Sequence, residues 1–170
     1  CNGSGAYVGG FNLEMTYTPV SDLNMQLGYT LQQSRYKEPE VWSENPNIEP
    51  QTRMFRTPDH YGFMTVDYTM FDALIIALSG TYTGSMLVQH FAGYIAEDEE
   101  VITPDFFDMG IKVAYDVKLS NNSTMQFNAG IKNIFNSYQE DLDQGADRDA
   151  GYIYGPSLPR TFFFGLKLGL

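Results

Sequence analysis

Asp59-His60 and His90, with Ser79 or Ser85 as nucleophile, supply the residue types of a hydrolytic site. A catalytic triad is defined by geometry, however, and no sequence-adjacent signature joins these scattered residues. The chain is therefore read as a non-enzyme. The acids raise a different chemistry: Glu97-Asp98-Glu99-Glu100 is one cluster, and Glu140-Asp141-x-Asp143-x-Gly145-x-Asp147-x-Asp149-x-Gly151 is another. The latter loosely resembles a calcium loop, because a hard cation wants several carboxylates on a tight turn, and Asp141, Asp143, Asp147 and Asp149 are its candidate ligands. No Glu stands at the closing position, so a solvated acidic loop is the leading expectation, with Ca2+ as the alternative and no other cofactor. A third chemistry is stacking. Tyr36, Trp42, His90, Tyr94, Tyr152 and Tyr154 offer large contact area to a ligand at little entropic cost. The plainer alternative is that these rings belong to an aromatic girdle or pack loop against loop.

The elements that must position these residues follow a period of two. Tyr7, Phe11, Leu13, Met15 and Tyr17 alternate with Asn12, Glu14 and Thr16, and after the turn chemistry of Thr18-Pro19-Val20-Ser21-Asp22 the residues Leu23, Met25, Leu27, Tyr29 and Leu31 alternate with Asn24, Gln26, Gly28 and Thr30. Met64, Val66 and Tyr68 oppose Phe63, Thr65 and Asp67; Leu74, Ile76, Leu78 and Tyr82 oppose Ala73, Ala77, Ser79 and Thr81. Phe107 to Tyr115, Met125 to Ile131 and Phe162 to Leu170 complete seven such runs, with Ser120-Asn121-Asn122-Ser123 as a further turn. Each run is about ten residues, the length a tilted strand needs to cross a bilayer.

The connections alternate in length. Short turns near 18–22, 69–72 and 118–123 alternate with long polar segments near 33–59, 84–105 and 136–158, the asymmetry of barrels with tight periplasmic turns and long external loops. With that orientation Tyr17, Tyr68 and Tyr115 fall together at the lower rim, as an interfacial girdle would. A soluble β-sandwich also alternates, but its outward face would carry charge, whereas here the acids sit in the loops. The expected fold is all-β: about seven antiparallel meander strands of a transmembrane β-barrel.

Composition agrees. The 170 residues hold 10 Lys and Arg against 21 Asp and Glu, a net charge of -11 that argues against nucleic acid as a partner. No stretch of 18 uninterrupted apolar residues is present, so no transmembrane helix is expected, and the mean hydropathy of -0.27 suits alternating barrel strands. The single cysteine, Cys1, permits no internal disulfide.

Two carboxy-terminal segments carry a family likeness. Gly130-Ile131-Lys132-Asn133-Ile134-Phe135-Asn136-Ser137-Tyr138 resembles the penultimate strand of TonB-dependent receptors of the Bacteroidetes type, with Ile134 and Asn136 where Leu and Asp are commoner. Gly155-Pro156-Ser157-Leu158-Pro159-Arg160-Thr161-Phe162-Phe163-Phe164-Gly165-Leu166-Lys167-Leu168 resembles the closing segment, although Leu170 stands where an assembly signal usually ends in Phe. Arg53-x-x-Arg56-Thr57-Pro58-Asp59-His60 is similar to a less specific barrel signature. The resemblance implies a barrel of about 22 strands around an amino-terminal plug, taking up a scarce nutrient such as an iron chelate, haem, cobalamin or a glycan. Residues 1–170 are then expected to be the carboxy-terminal portion of that barrel, in the outer membrane, without plug domain, TonB box or signal peptide. The implied partners are outer-membrane lipid and lipopolysaccharide, the remaining barrel and plug, TonB through that plug, and a surface lipoprotein lid. Two alternatives stand beside it: a complete small lipidated barrel beginning at Cys1, which the odd strand number opposes, and a barrel hydrolase.

Overall fold

The computed structural model describes residues 5–120 and 123–169; the Cys1 segment, the Asn121-Asn122 turn tip and Leu170 lie outside them. The described residues form ten strands: β1 (Ala6–Val20), β2 (Leu23–Glu40), β3 (Gln51–Arg53), β4 (His60–Met70), β5 (Leu74–Thr83), β6 (Leu87–His90), β7 (Glu99–Ile102), β8 (Phe106–Ser120), β9 (Ser123–Lys132) and β10 (Thr161–Gly169). Among the described residues there is no helix, and so none long and apolar enough to cross a membrane. The expected seven runs are the seven wall strands, an antiparallel meander in the order β1-β2-β4-β5-β8-β9-β10. The short strands β3, β6 and β7 leave no periodic signal in the sequence, nor does the full length of β2.

Alternation builds a one-layer wall with two unlike faces. Tyr17, Met25, Val66, Leu78, Ile111, Ile131 and Phe162 pair in one unbroken row across all seven strands. The opposite face presents rows such as Asn24, Asp67, Ala77, Lys112, Gly130 and Phe163. The apolar face is uncovered: Phe11 is 63%, Leu166 57% and Phe164 89% exposed. Contiguous apolar area on this scale needs another apolar phase against it. The phenyl groups on the polar face have a local cause. A Cβ at Gly28 would overlap the Phe63 ring and one at Gly130 the Phe163 ring, so each ring lies flat over a glycine of the neighbouring strand.

The tyrosine girdle is visible in the register. Tyr17, Tyr68 and Tyr115 lie two strands apart in turn, and each sits one outward-facing position below the cross-strand row of the one before. That is one residue per strand, a rise of about 3.3 Å over a spacing of about 4.8 Å, which is the offset of strands tilted by about 35°. Across a wall so tilted the three rings stand level. At the lower end Phe71 and Asp72 both take positive φ (53° and 56°), and Ala73 N–H bonds Met70 O, making a two-residue turn of the kind that joins tight hairpins.

Candidate functional site

The buried apolar cluster of the described residues lies not in the wall but above it, where Met86, Val88 and Tyr152 pack with Val101 and Tyr154. The hairpin of β6 and β7 extends upward from the tops of β5 and β8, and the segment between β9 and β10 lies against it. His90 and Asp143 join the two: Nε2 lies 2.9 and 3.0 Å from the two carboxylate oxygens, with both side chains almost wholly enclosed. The His90 ring stacks on Tyr152 at 3.6 Å with a 5° interplanar angle. Asp143 also accepts the Asp149 N–H, while Asp149 accepts the N–H groups of Phe91 and Gly151.

Next to this pair, the hydroxyls of Tyr152 and Tyr154 both donate to Asp141. Burial alone would raise the Asp141 carboxyl, but hydrogen bonds from Tyr154, Tyr152 and Gln139 outweigh it and hold the group below the ordinary carboxylate range. Tyr152 is raised above the ordinary phenol range by burial and then by Asp141; the same two causes push Tyr154 up to about 12. Gln139, itself buried, bonds Tyr152 O and the Tyr154 N–H, which closes the segment on itself.

Another cluster ties the top of the β2–β3 connection to the β6–β7 hairpin. Trp42 Nε1 donates to Glu100 at 2.9 Å, Gln51 to the other Glu100 oxygen at 2.8 Å, Ser43 to Asp98 at 2.6 Å and Asn45 to Glu97 at 3.1 Å. The Ser43 hydroxyl, and then the Ala92 N–H, lower the Asp98 pKa. Trp42 makes edge contacts with Phe55 and Phe91 at 5.8 and 5.4 Å. Between these residues is an open cleft of about 510 Å³ whose lining includes Asn45, Glu49, Gln51, Glu97, Asp98 and Glu100, all acidic or neutral.

The structure thus divides the expected site residues. His90, Tyr152 and Tyr154 come together, but His90 and Tyr152 are 6% and 3% exposed, so the stack they form is with each other and loop packs on loop. Trp42 belongs to the cluster around Glu100, Tyr36 is half-buried near the top of β2, and Tyr94 stands exposed between β6 and β7. The four aspartates do not converge: Asp141 takes two tyrosines, Asp143 the histidine, Asp149 two backbone amides, and Asp147 is exposed. Among the described residues no group of three or more His, Cys, Asp and Glu is arranged to hold a metal ion.

Within the acidic runs Glu97, Asp98, Glu100, Asp141, Asp143 and Asp149 accept hydrogen bonds, while Glu99, Glu140 and Asp147 are exposed. The hydrolytic set is equally dispersed. His60 stacks on Tyr82 and lies 3.4 Å from the Tyr29 hydroxyl, Asp59 pairs with Arg53, Ser79 faces the polar side of the wall, and neither Ser79 nor Ser85 bonds a histidine.

Sequence reasoning misses Gln139, Phe55, Phe91 and the role of Arg56, whose guanidinium holds the carbonyls of Gly151 and Ile153. It marks Asn133 as part of a motif without supplying a reason. In the structure Asn133, at φ 50°, ends β9, donates to the carbonyls of Ser137 and Leu158 at 2.9 Å and accepts the Ser137 N–H at 2.8 Å. Asn136, also at positive φ, accepts the Arg160 N–H, and Arg160 Nε returns to Ile134 O. The two carboxy-terminal motifs are thus halves of one clasp at the mouth end of the last hairpin.

No protein-family model matches the chain, and no curated protein does. Solved structures do. The ferric-catecholate import receptor Fiu from K12 E. coli is similar over 96% of this chain and 20% of that one, at 21% identity and a TM-score of 0.64. FpvAI in its complex with pyocin S2 is similar over 96% and 19%, at 14% identity and a TM-score of 0.66. The ferripyoverdine receptor of the Pseudomonas aeruginosa outer membrane, bound to ferripyoverdine, gives the same 96%, 19%, 14% and 0.66. The chain spans about one fifth of the length of each receptor. Its fold is that of a section of the barrel wall of TonB-dependent outer-membrane receptors.

Proposed function

We propose that the chain forms the carboxy-terminal wall and part of the external mouth of a TonB-dependent receptor that imports a scarce nutrient across the outer membrane, performing no chemistry on it. The observation that carries this reading is the seven-strand meander with an uncovered apolar face, tight turns below and loops packed above. Both edge strands, β1 and β10, need partners, and in this reading the remaining wall strands of the same barrel pair with them. The plug and TonB act through that larger protein, and the Bacteroidetes affinity rests on the carboxy-terminal motifs. Iron chelates are the first ligands to test, since similar structures are receptors for ferric catecholate and ferripyoverdine. Haem, cobalamin and glycans follow.

The test is uptake in cells that lose only the gene for this protein, under iron limitation and in parallel with loss of TonB. The reading predicts that one ligand class ceases to enter in both strains and that the protein fractionates with the outer membrane. Recovery of the protein in the soluble fraction would sink it, as would unchanged uptake of every class.

A further inference from the structure

We infer a waypoint for an anionic group of the imported nutrient on the polar face of the wall, held by Lys112 of β8 and Lys132 of β9. This rests on the receptor reading above and adds to it the charge class of the cargo and a place on its way inward.

Charge on the polar face, which a barrel turns toward its lumen, is divided between two halves of the wall. On β1, β2, β4 and β5 its positions carry carboxylates such as Glu14 and Asp67 and no Lys or Arg. On β8, β9 and β10 the same face carries Lys112, Lys118, Lys132 and Lys167, four of the five lysines in a chain of net charge -11. Asp108 and Asp116 are interspersed among them, and Asp116 accepts the Gln126 amide at 2.8 Å. None of the four ammonium groups has a carboxylate within ion-pair distance among the described residues.

Lys112 and Lys132 stand together over a hollow. Lys112 pairs with Gly130, and Lys132 is the next residue of that face on β9, so the two are diagonal neighbours about 7–8 Å apart whose long side chains reach one group. The Phe163 ring lies flat over Gly130 beside them, and Lys132 Nζ sits 5.7 Å from its centroid, which dries one side of the ammonium and steadies it over the face. In front of the pair is an open hollow of about 370 Å³ at the small residues Ala77, Ser79 and Gly110, lined also by Thr65 and Gln26, with Asp67 as its one carboxylate. Two ammonium groups, two hydroxyls and an amide against one carboxylate leave a surplus of donors. That surplus complements an anionic oxygen group: a carboxylate, a phosphate or a catecholate. The loops above are opposite in sign, since residues 84–105 hold Glu97, Asp98, Glu99, Glu100 and Asp105 and no Lys or Arg. The potential therefore turns from negative at the loops to positive at the lysines, and an anion that has passed the loops is drawn inward.

The experiment follows initial uptake by cells that make the full-length protein. Two probes are anionic, a ferric tris-catecholate and haem; three are neutral, a ferric trihydroxamate, cobalamin and an uncharged oligosaccharide. The wild-type protein should import an anionic probe in preference to the neutral ones. Lys112→Gln with Lys132→Gln should lower its maximal rate about tenfold while binding to de-energised cells keeps its Kd, and Lys112→Arg with Lys132→Arg should restore the rate. Both positions are exposed, heat-modifiable migration reports whether the barrel is intact, and Lys132→Gln alone should show a smaller loss in a less altered wall. Import of neutral probes alone, or an unchanged rate in the intact Gln variant, would overturn the waypoint and leave the receptor reading standing. So would a Kd that rises in step with the lost rate, which would move the contact to the mouth. Leakage of a large antibiotic through the Gln variant would also overturn it, because the lysines would then be holding the plug. Import of no probe would overturn both readings.

Discussion

The wall and the loop cluster above it solve the same problem in opposite ways. The wall has no enclosed interior: its apolar residues point outward from a single layer and depend on a surrounding phase. The loops enclose Met86, Val88 and Tyr152 and hold them with carboxylate hydrogen bonds to rings and amides. Stability in the wall should therefore respond to what is done to a face. In the loops it should respond to what is done to a single bond.

The largest effect should come from a charge on the outward row. Ile111→Arg places a guanidinium in the middle of the belt and should cost about 2–4 kcal/mol of barrel stability in vesicles, measured by urea unfolding. Ala77→Lys, on the polar face of the adjacent strand, should cost under about 1 kcal/mol. Similar costs for the two would mean that the faces are not distinguished by their surroundings.

In the loops, His90→Ala leaves the enclosed Asp143 carboxylate without its ring partner and should loosen the cluster by about 2–3 kcal/mol. Hydrogen exchange across β6 and β7 should quicken while exchange in β4, β5 and β8 stays unchanged; slowing or no change in β6 and β7 would remove the assigned role. Acidity supplies a smaller, graded test. Asp141 is depressed in the folded loops, so its contribution is present at neutral pH and is lost only as pH falls through and below the carboxylate range. Tyr154 is raised from 10.0 to about 12, so its contribution is complete below pH 10.0, fades as pH rises and is gone past about 12. Protease protection of the loops should trace that plateau, and Tyr154→Phe should flatten its alkaline edge.

The smallest effect belongs to the turn below. Phe71 adopts φ 53°, a conformation costly for a side chain with a Cβ, and Phe71→Asn should raise wall stability by about 1 kcal/mol. A loss of stability would show that the exposed ring has a contact worth more than its strain.

The same contrast explains what can be read from the sequence. Between Tyr7 and Tyr17, or Phe107 and Tyr115, one face meets an apolar phase and the other does not, so the alternation is written in residue types. Above the belt both faces of β2 are polar, and its continuation through Tyr36 to Glu40 leaves no such trace. His90, Tyr152 and Tyr154 stand out as rings in polar segments, but the stacking of the first two depends on a pairing between distant loops that no local pattern encodes. Asn133 is legible as part of a motif; its reason, a clasp on Leu158, is not.

The one-layer wall also bears on how such chains diverge. In a packed interior each side chain meets several shaped neighbours, so replacements must come in compensating sets. Here an outward residue meets fluid on one side and a few cross-strand neighbours on the other, and Leu, Met, Phe or Val answers almost equally well. Selection reads each wall position in a two-letter alphabet, and drift within each letter goes unpunished. Such tolerance lets a chain share a backbone path with solved receptors at 13–21% identity.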